Sequence, residues 1–189
     1  MVKLLDHFGR PIERSVLEAP QTAQMRTLHR EFAGHPSRGL TPSRLARILR
    51  DAEQGDLTDQ SDLFQDMEEK DAHIYAEMSK RRRAVLTLDW SVEPPRGATR
   101  QERDQAAYAQ DLLRDVANLE DVFLDALDAI GHGFACLEIE WQLLGREWLP
   151  KAICHRPQRW FMTSLDDQAE LRLRDVGVGG AALQPFGWI

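Results

Sequence analysis

The stretch Phe134-Ala-Cys-Leu-Glu-Ile-Glu-Trp-Gln-Leu143 is where the hydrophobic pattern changes from a helical period to a period of two. Its odd-numbered positions are all apolar and alternate with a mixed set that includes two glutamates, which is typical of a half-buried strand. Gly145 then stands at a turn, and residues 148–155 are predicted to return as the antiparallel partner. Two further extended segments are predicted at 159–163 and 171–176, so the second half of the chain is predicted to form an antiparallel meander.

The segments before this meander have the period of helices. Thr41 followed by Pro42 favours a helix start, and Gly55 is placed to end that helix. Thr99 and Glu102 form a capping-box pattern. The predicted helices cover about 42–54, 59–87, 100–117 and 119–130, the last between a cap at Asn118 and a stop at Gly131, and a short strand is predicted at Trp90-Ser-Val-Glu-Pro-Pro95. Helices followed by an antiparallel meander indicate an α+β fold.

The longest predicted helix, over about residues 59–87, carries an apolar stripe that repeats every eleven residues. Eleven residues make three helical turns, so the stripe stays on one face of a nearly straight helix, roughly 40 Å long. Its members are Leu63, Phe64, Met67, Ile74, Tyr75, Met78, Val85 and Leu86. The stripe is predicted to pack on the later helices of the same subunit.

Composition and charge limit the classes of function. Of the 189 residues, 42% are hydrophobic and 29% are charged, and no apolar run is long enough for a transmembrane helix. Two cysteines cannot build a disulfide framework, so synthesis in a reducing cytoplasm is expected. The charge balance is +5 in residues 1–50 and −12 in residues 51–189, which disfavours binding of nucleic acid by the main body. Residues 1–40 lack a sustained period and are predicted to form an extended basic arm beside an α+β body at 41–189. The arm is expected to be solvated, and the alternative is a contact with DNA, RNA or an acidic partner.

Four residues near the predicted hairpin are of metal-binding types: His132, Cys136, Cys154 and His155. A turn about Gly145 places Cys136 opposite Cys154, but adjacent strand residues point to opposite faces, so Cys154 and His155 cannot bind one ion together. The cysteines also lack the close pairing of zinc sites. We therefore predict no metal site, no cofactor and two small thiols, which could form a bridge in an oxidising environment.

A metal-dependent nuclease or hydrolase is the first alternative function, because paired carboxylates can hold magnesium or act as general acid and base. The candidates are Glu138, Glu140, Asp166 and Asp167. The more ordinary interpretation is that the two glutamates lie on the solvent-exposed face of a strand and the two aspartates in a polar turn. The sequence contains no nucleophile elbow, phosphate-binding loop or dinucleotide fingerprint, so no catalytic residue is assigned.

A nucleic-acid-binding regulator is the second alternative, since residues 41–87 have the outline of a helix-turn-helix. The first helix of this pair presents three basic residues, Arg44, Arg47 and Arg50. The second helix, which would enter the major groove, begins with Asp59, Asp62 and Asp66. Carboxylates at that end would meet phosphates, so groove recognition is disfavoured.

Five segments of the chain, in order, resemble those of a known family. They are Leu40-Thr-Pro-Ser-Arg-Leu-Ala-Arg-Ile-Leu49 with Ala52-Glu-Gln-Gly-Asp56, Leu63-Phe-Gln-Asp-Met-Glu-Glu-Lys-Asp-Ala-His-Ile74, Arg81-Arg-Arg-Ala-Val-Leu-Thr-Leu-Asp-Trp-Ser-Val-Glu-Pro94, Gly131-His-Gly-Phe-Ala-Cys-Leu-Glu-Ile-Glu-Trp141 and Arg156-Pro-Gln-Arg-Trp-Phe161. Together they resemble the Mu-type family of phage portal proteins over nearly the whole chain from about residue 40. The resemblance implies the fold of the peripheral portal wing.

By this resemblance, the chain is a structural component of a homo-oligomeric portal ring and not an enzyme. DNA is packaged and ejected through such a ring, and the implied partners are terminase, capsid and head-tail joining proteins. The implied locations are the host cytoplasm during assembly and the portal vertex of the virion, with no membrane involved. In a ring, the apolar stripe has a second possible role as a subunit interface. A complete portal protein is longer, so the sequence is expected to be the N-terminal part of one, and no DNA-binding residue is assigned.

Overall fold

The computed structural model describes residue 11 and residues 17–25, 28, 36–164, 167, 169–175, 177 and 179–189. The helices are α1 (Pro42–Glu53), α2 (Thr58–Lys70), α3 (Ala72–Val85), α4 (Arg100–Arg114), α5 (Leu119–Ala126) and the single turn α6 (Ala129–His132). The strands are β1 (Cys136–Leu144), β2 (Glu147–Arg156), β3 (Phe161–Thr163), β4 (Leu171–Leu173) and β5 (Ala181–Ala182). The predicted α+β fold is confirmed. None of the helices formed by these residues combines the length and the apolar character that crossing a bilayer requires.

Two helix starts lie where the sequence placed them. Thr41 Oγ1 accepts a hydrogen bond from the Arg44 amide at 3.3 Å, and Pro42 occupies the first position of α1. At α4, the Glu102 amide donates to Thr99 Oγ1 at 3.3 Å, and the Thr99 amide donates to a Glu102 carboxylate oxygen at 2.7 Å. These bonds satisfy amides that a helix start leaves without a partner. The predicted cap and the predicted capping box are confirmed.

The single long helix predicted over residues 59–87 is wrong, because the chain breaks it at Asp71. Asp71 has an extended backbone (φ −100°, ψ 104°), and its Oδ1 accepts bonds from the amides of His73 at 2.9 Å and Ile74 at 3.1 Å. The aspartate side chain accepts bonds from nearby backbone amides in this way, so aspartate is more favourable at the start of a helix than in its interior. Two helices, α2 and α3, therefore replace the straight rod, and the eleven-residue repeat does not follow one continuous face.

Helix α2 also anchors the residues that precede α1. Asp66 Oδ2 accepts a bond from the Ser37 amide at 3.0 Å and from Lys70 Nζ at 2.9 Å. Lys70 Nζ donates in turn to Ser37 Oγ at 2.6 Å. Burial raises the pKa of the Asp66 carboxyl, but the hydrogen bonds from Ser37 and Lys70 outweigh it and hold that pKa well below its usual range. Asp66 is therefore charged in the folded protein at neutral pH.

Strands β1 and β2 form the predicted antiparallel hairpin, with Gly145 at φ +65° in its turn. The prediction that the two cysteines face each other is wrong, since Cys136 pairs with Arg156 and Cys154 pairs with Glu138. The turn contains two residues, Gly145 and Arg146, and not the single residue assumed, and a bulge at Lys151 of β2 adds one more residue. Together they shift the register by two residues.

The C-terminal residues run along the free edge of β1. The Leu137 amide donates to the oxygen of Ile189 at 3.0 Å, the Ile189 amide donates back at 2.9 Å, and the Ile139 amide donates to the Gly187 oxygen at 2.8 Å. Strands β3, β4 and β5 form a second antiparallel sheet in that order, so the predicted meander is confirmed. The free edge of β1 is thus covered by the C-terminal residues 187–189.

Two hydrophobic clusters cover opposite faces of the hairpin where β1 begins. On one face, Leu137 and Ile153 pack with Val122 of α5. On the other face, Cys136 packs in the cluster that contains Phe161. Neighbouring strand residues point to opposite faces, so both faces are buried here. The half-buried strand predicted from the alternation is correct only beyond the first three residues of β1, where burial decreases.

Part of the N-terminal segment closes the second face of the hairpin. Gln21 Oε1 accepts bonds from the Gln184 amide at 2.9 Å and from Trp188 Nε1 at 3.0 Å. Leu28 is buried in the same cluster as Cys136. Gln21 and Leu28 therefore pack on the β region. Most of the predicted basic arm lies outside the described residues, and the boundary between arm and body stays a prediction.

Two smaller predictions are wrong. Residues 90–95 form no strand, since the Val92 amide donates to Gln110 Oε1 of α4 at 2.6 Å and the two prolines that follow lack amide donors. The last predicted helix is interrupted: α5 ends at Ala126, and the separate turn α6 ends at His132. Gly133 caps this turn, and its φ of +85° is the left-handed conformation that glycine favours.

Candidate functional site

The apolar stripe predicted on the long helix is divided between the interior and the surface. Leu63 of α2 is 1% exposed and belongs to the core. Three members are half-buried: Phe64, Met78 and Leu86. Four are exposed: Met67, Ile74, Tyr75 and Val85. The stripe thus packs at its beginning and leaves separate apolar side chains exposed on α3, and its role as a subunit interface stays a prediction.

Gly131 marks the close approach of α3 to α6. A Cβ at this position would lie 2.7 Å from Met78 Cε and 3.5 Å from Glu68 Oε2. Side chains of α2 and α3 therefore reach α6 at this position. This meeting brings together charged side chains that are distant in the sequence.

Arg82 lies at the centre of this charged junction, a term used here for Glu68, Arg82, Asp128, His132 and His155. Arg82 Nη2 lies 2.9 Å from Glu68 Oε2 and 2.8 Å from Asp128 Oδ1. The three side chains are only 16%, 13% and 19% exposed, respectively. Charge-assisted hydrogen bonds of this length are about twice as strong as neutral ones. The guanidinium therefore fastens α3 to α2 and to the start of α6.

Asp128 is also approached by two histidines and a glutamine. Gln158 Nε2 donates to Asp128 Oδ2 at 2.5 Å, and His155 Nε2 lies 3.6 Å from the same oxygen. His132 Nε2 lies 3.9 Å from it, and the His132 side chain is only 7% exposed. Two cavities of about 270 and 260 Å³ adjoin the junction, and Tyr75, Asp128 and His155 line both. The β hairpin thus contributes to the junction through His155.

The four residues considered for a metal site are separated into two environments. His132 and His155 face Asp128, whereas Cys136 lies in a hydrophobic cluster. Burial raises the pKa of the Cys136 thiol to about 12. Cys154 Sγ lies 3.9 Å from a carboxylate oxygen of β1, and both thiols are free. The histidines and the cysteines therefore do not share a site.

Sequence reasoning did not identify Glu68, Arg82 and Asp128 as neighbours. Each lies in a helical segment where a charged residue is ordinarily solvent-exposed, and Glu68 and Arg82 are 14 residues apart. The available signal was Asp128 with His132, four residues apart on one helical turn, a spacing that places both side chains on one face. The other contacts depend on the packing of separate elements.

The carboxylates considered for a nuclease differ in their surroundings. Glu138 is 1% exposed, so the predicted solvent face of the strand is wrong at this position. Its Oε1 accepts a bond from the Thr22 amide at 2.9 Å, and its Oε2 accepts bonds from the Thr22 hydroxyl at 2.5 Å and Arg156 Nε at 2.7 Å. The remaining candidates are Glu140, half-buried beside the same arginine, Asp167, which is exposed, and Asp166, which lies outside the described residues. Glu138 is thus fully engaged in structural bonds.

The helix pair considered for DNA recognition is covered at the end that would enter a groove. Thr58, at the start of α2, is 7% exposed, and both Thr58 and Asp56 accept bonds from the Arg174 guanidinium. The Thr163 amide donates to the Gly55 oxygen at 3.1 Å, and a Cβ on Gly55 would lie 2.9 Å from the Thr163 oxygen. The β region therefore packs against the turn between α1 and α2, which disfavours entry into a groove.

Comparison with known proteins agrees with the resemblance noted in the sequence. The chain is 44% identical over 190 residues to the Mu-like prophage FluMu protein gp29 of Haemophilus influenzae, a match that covers 99% of this chain and 36% of that protein. It is 44% identical over 188 residues to the portal protein of Escherichia phage Mu, covering 100% of this chain and 37% of that protein. The chain thus spans little more than a third of the length of these relatives. The family described as the portal protein of Mu bacteriophage matches residues 61–189, more than half of the chain, and the chain belongs to this family.

Proposed function

We propose that the chain is a structural part of a phage portal, the ring through which DNA enters and leaves a capsid. The observation that carries the proposal is the 44% identity with the portal protein of Escherichia phage Mu, which extends over 100% of the chain. Because the chain covers 37% of that protein, the ring and its channel are proposed for the longer protein. The chain itself is proposed to form the peripheral wing of each subunit.

The contacts of Glu138, one of the carboxylates considered for a nuclease, support a structural role. The Glu138 carboxylate joins the N-terminal segment, through Thr22, to Arg156 on β2. A carboxylate held in this manner at 1% exposure is an anchor between segments and not a magnesium ligand or general base. We therefore propose no catalytic step for the chain.

The ring requires a contact between identical subunits, and the exposed part of the apolar stripe is the surface that we propose for it. Ile74, Tyr75 and Val85 are 36%, 57% and 40% exposed along α3. Leu88 and Trp90, which follow α3 in the sequence, add two apolar side chains with 65% and 39% exposure. Neighbouring exposed apolar side chains often mark a protein interface. In a ring, each copy would meet a different face of the next copy, so the partner surface lies elsewhere on the subunit.

The proposed relation to DNA is passage without binding. The chain carries a formal net charge of −7, which repels the phosphates of a passing duplex. We propose assembly in the host cytoplasm and a final place at the portal vertex of the virion. Terminase, capsid and head-tail joining proteins are the proposed partners of the assembled ring.

A chimera in which this chain replaces the matching segment of the phage Mu portal protein tests the function. It would be supplied to a phage Mu mutant that lacks its own portal protein, and plaque formation would be counted. The purified chimera would be examined for rings by electron microscopy. We expect rings and plaques. A folded chimera that gives neither would contradict the proposal.

Two matched tyrosines test the interface within the same chimera. Tyr75 on α3 and Tyr108 on α4 are both 57% exposed, and each is replaced by aspartate. Because Tyr75 also lines the cavities beside the charged junction, circular dichroism first establishes that both variants fold. We expect Tyr75→Asp to abolish rings, because it places a charge in an apolar contact, and Tyr108→Asp to leave them intact. Equal effects of the two substitutions would place the interface elsewhere.

A further inference from the structure

The charged junction contains more negative than positive charge. Two carboxylates, Glu68 and Asp128, share the single guanidinium of Arg82, at 2.9 and 2.8 Å from its Nη2. Both carboxylates are less than a fifth exposed, so water does little to offset the charge that remains. The groups that face this excess from α6 and β2 are the imidazoles of His132 and His155.

His132 is buried without the hydrogen bonds that a buried imidazole needs. Its side chain is 7% exposed, and its Nδ1 is buried without a hydrogen-bond partner. Its Nε2 lies 3.9 Å from Glu68 Oε2 and 3.9 Å from Asp128 Oδ2, and neither distance is a hydrogen bond. The nitrogen that faces both carboxylates is Nε2, whereas the unpartnered Nδ1 is the other nitrogen of the ring. Buried polar atoms are normally satisfied, and an ion between Nε2 and the two carboxylates would give this buried imidazole a partner.

A divalent ion matches the space between these three side chains. One ligand atom from each of Glu68, Asp128 and His132 lies within 4.8 Å of the other two. Metal bonds to imidazole nitrogen and carboxylate oxygen are about 2.0–2.2 Å long, so ligand atoms around one ion are separated by about 3–4 Å. Small side-chain adjustments therefore suffice to place all three on one ion.

The surroundings supply the outer contacts that metal ligands require. Arg82 donates to Glu68 and lies beside Asp128, while Gln158 Nε2 donates to Asp128 Oδ2 at 2.5 Å. Such bonds fix the orientation of ligating carboxylates. The cavity of about 260 Å³ lined by Glu68, Asp128 and His132 gives an ion a route from solvent.

We propose that Glu68, Asp128 and His132 bind a divalent transition-metal ion, with Zn²⁺ as the first candidate, at the meeting point of α2, α3 and α6. One imidazole and two carboxylates suit zinc, whereas calcium and magnesium take oxygen ligands almost throughout. His155, whose Nε2 lies 3.6 Å from Asp128 Oδ2, is a candidate for a further ligand. The ion would fasten α2 to α6 and so stiffen the helical part of the subunit, whatever the function of the assembled protein.

The test is metal binding by the full chain after removal of metal with a chelator. The chain would be dialysed against zinc sulfate, the bound zinc counted by mass spectrometry, and the thermal midpoint followed by circular dichroism. We expect one zinc ion per chain. Zinc at about 100 times its Kd is expected to raise Tm by about 5–10 °C.

Matched variants locate the site. His132→Gln removes the ligand nitrogen and is expected to weaken zinc binding by at least about tenfold. His73→Gln changes an exposed histidine on α3 and is expected to leave binding unchanged. Cys154→Ser excludes a thiolate site at the hairpin. Glu68→Gln provides a second test if His132→Gln does not fold.

Absence of a bound zinc ion at equimolar zinc overturns the proposal. So does binding that His132→Gln and Glu68→Gln leave unchanged, or binding that Cys154→Ser abolishes. None of these three results bears on the ring, since rings and plaques are measured separately in the chimera.

Discussion

Replacing Arg82 by methionine tests whether the charged junction holds the helical part together. The substitution removes the cation between Glu68 and Asp128 and leaves an unbranched side chain to fill much of the same space. Both carboxylates would then remain at 13% and 19% exposure with like charges facing each other. The folded state is therefore expected to lose stability, while the unfolded state changes little.

The size of the stability loss in Arg82→Met follows from the burial of Glu68 and Asp128. Removing one partner of a fully buried ion pair costs about 3–5 kcal/mol, because the remaining charge is left without compensation. The residual exposure of the two carboxylates lets water recover part of this cost. We expect a loss of about 2–4 kcal/mol in the free energy of unfolding, or about 10 °C in Tm for a chain of this size.

Urea unfolding at pH 7 in the presence of a chelator, followed by far-ultraviolet circular dichroism, measures the loss. Arg81→Met is the control, since this neighbouring arginine is exposed and its replacement should change stability by no more than about 0.5 kcal/mol. In the double variant Glu68→Gln with Arg82→Met, the two losses should not add, because one carboxylate no longer needs a partner. The expected coupling is about 1–2 kcal/mol.

The reasoning is refuted if Arg82→Met is as stable as Arg81→Met. It is also refuted if the losses in the double variant simply add, since additivity means that Arg82 and Glu68 do not interact.

Three further predictions concern local contacts. Gly55→Ala should lower the free energy of unfolding by about 2–4 kcal/mol, and Gly39→Ala by only about 1 kcal/mol. Both glycines have a positive φ, but of the two only Gly55 would place a Cβ 2.9 Å from the backbone oxygen of Thr163. Equal losses in urea unfolding would contradict this close approach. Asp66→Asn should cost about 1–2 kcal/mol at pH 7. The pKa of Asp66 is lower in the folded than in the unfolded state, so its charged form stabilises the folded state fully above about pH 4 and less as the pH falls. The difference in unfolding free energy between wild type and variant should therefore shrink at lower pH. A difference that stays constant would count against this role of Asp66. At pH 8, iodoacetamide should modify the half-buried Cys154 before Cys136, whose pKa is raised to about 12 by burial; equal rates by mass spectrometry would be inconsistent with that burial.

Local patterns determined most of the elements of this protein. The cap at Thr41, the capping box at Thr99 and the hairpin around Gly145 are each formed by residues close together in sequence, so their physical cause could be identified there. Asp71 carried a local signal as well, because aspartate favours a cap over a helix interior, but the eleven-residue repeat outweighed it in the prediction. The ordered segments that resemble portal proteins identified the family in the same way, from sequence alone.

The tertiary structure decided which side chains of these elements meet. Glu138 is buried because residues near Thr22 fold back onto the hairpin, and no alternation pattern contains that return. Arg82 contacts Glu68 and Asp128 because α2, α3 and α6 converge near Gly131. A period in the sequence determines which face of an element is apolar, whereas the partner of that face depends on how separate elements pack. The charged junction is therefore a product of the fold, although all of its residues except His132 lie in a helix or strand that the sequence predicts.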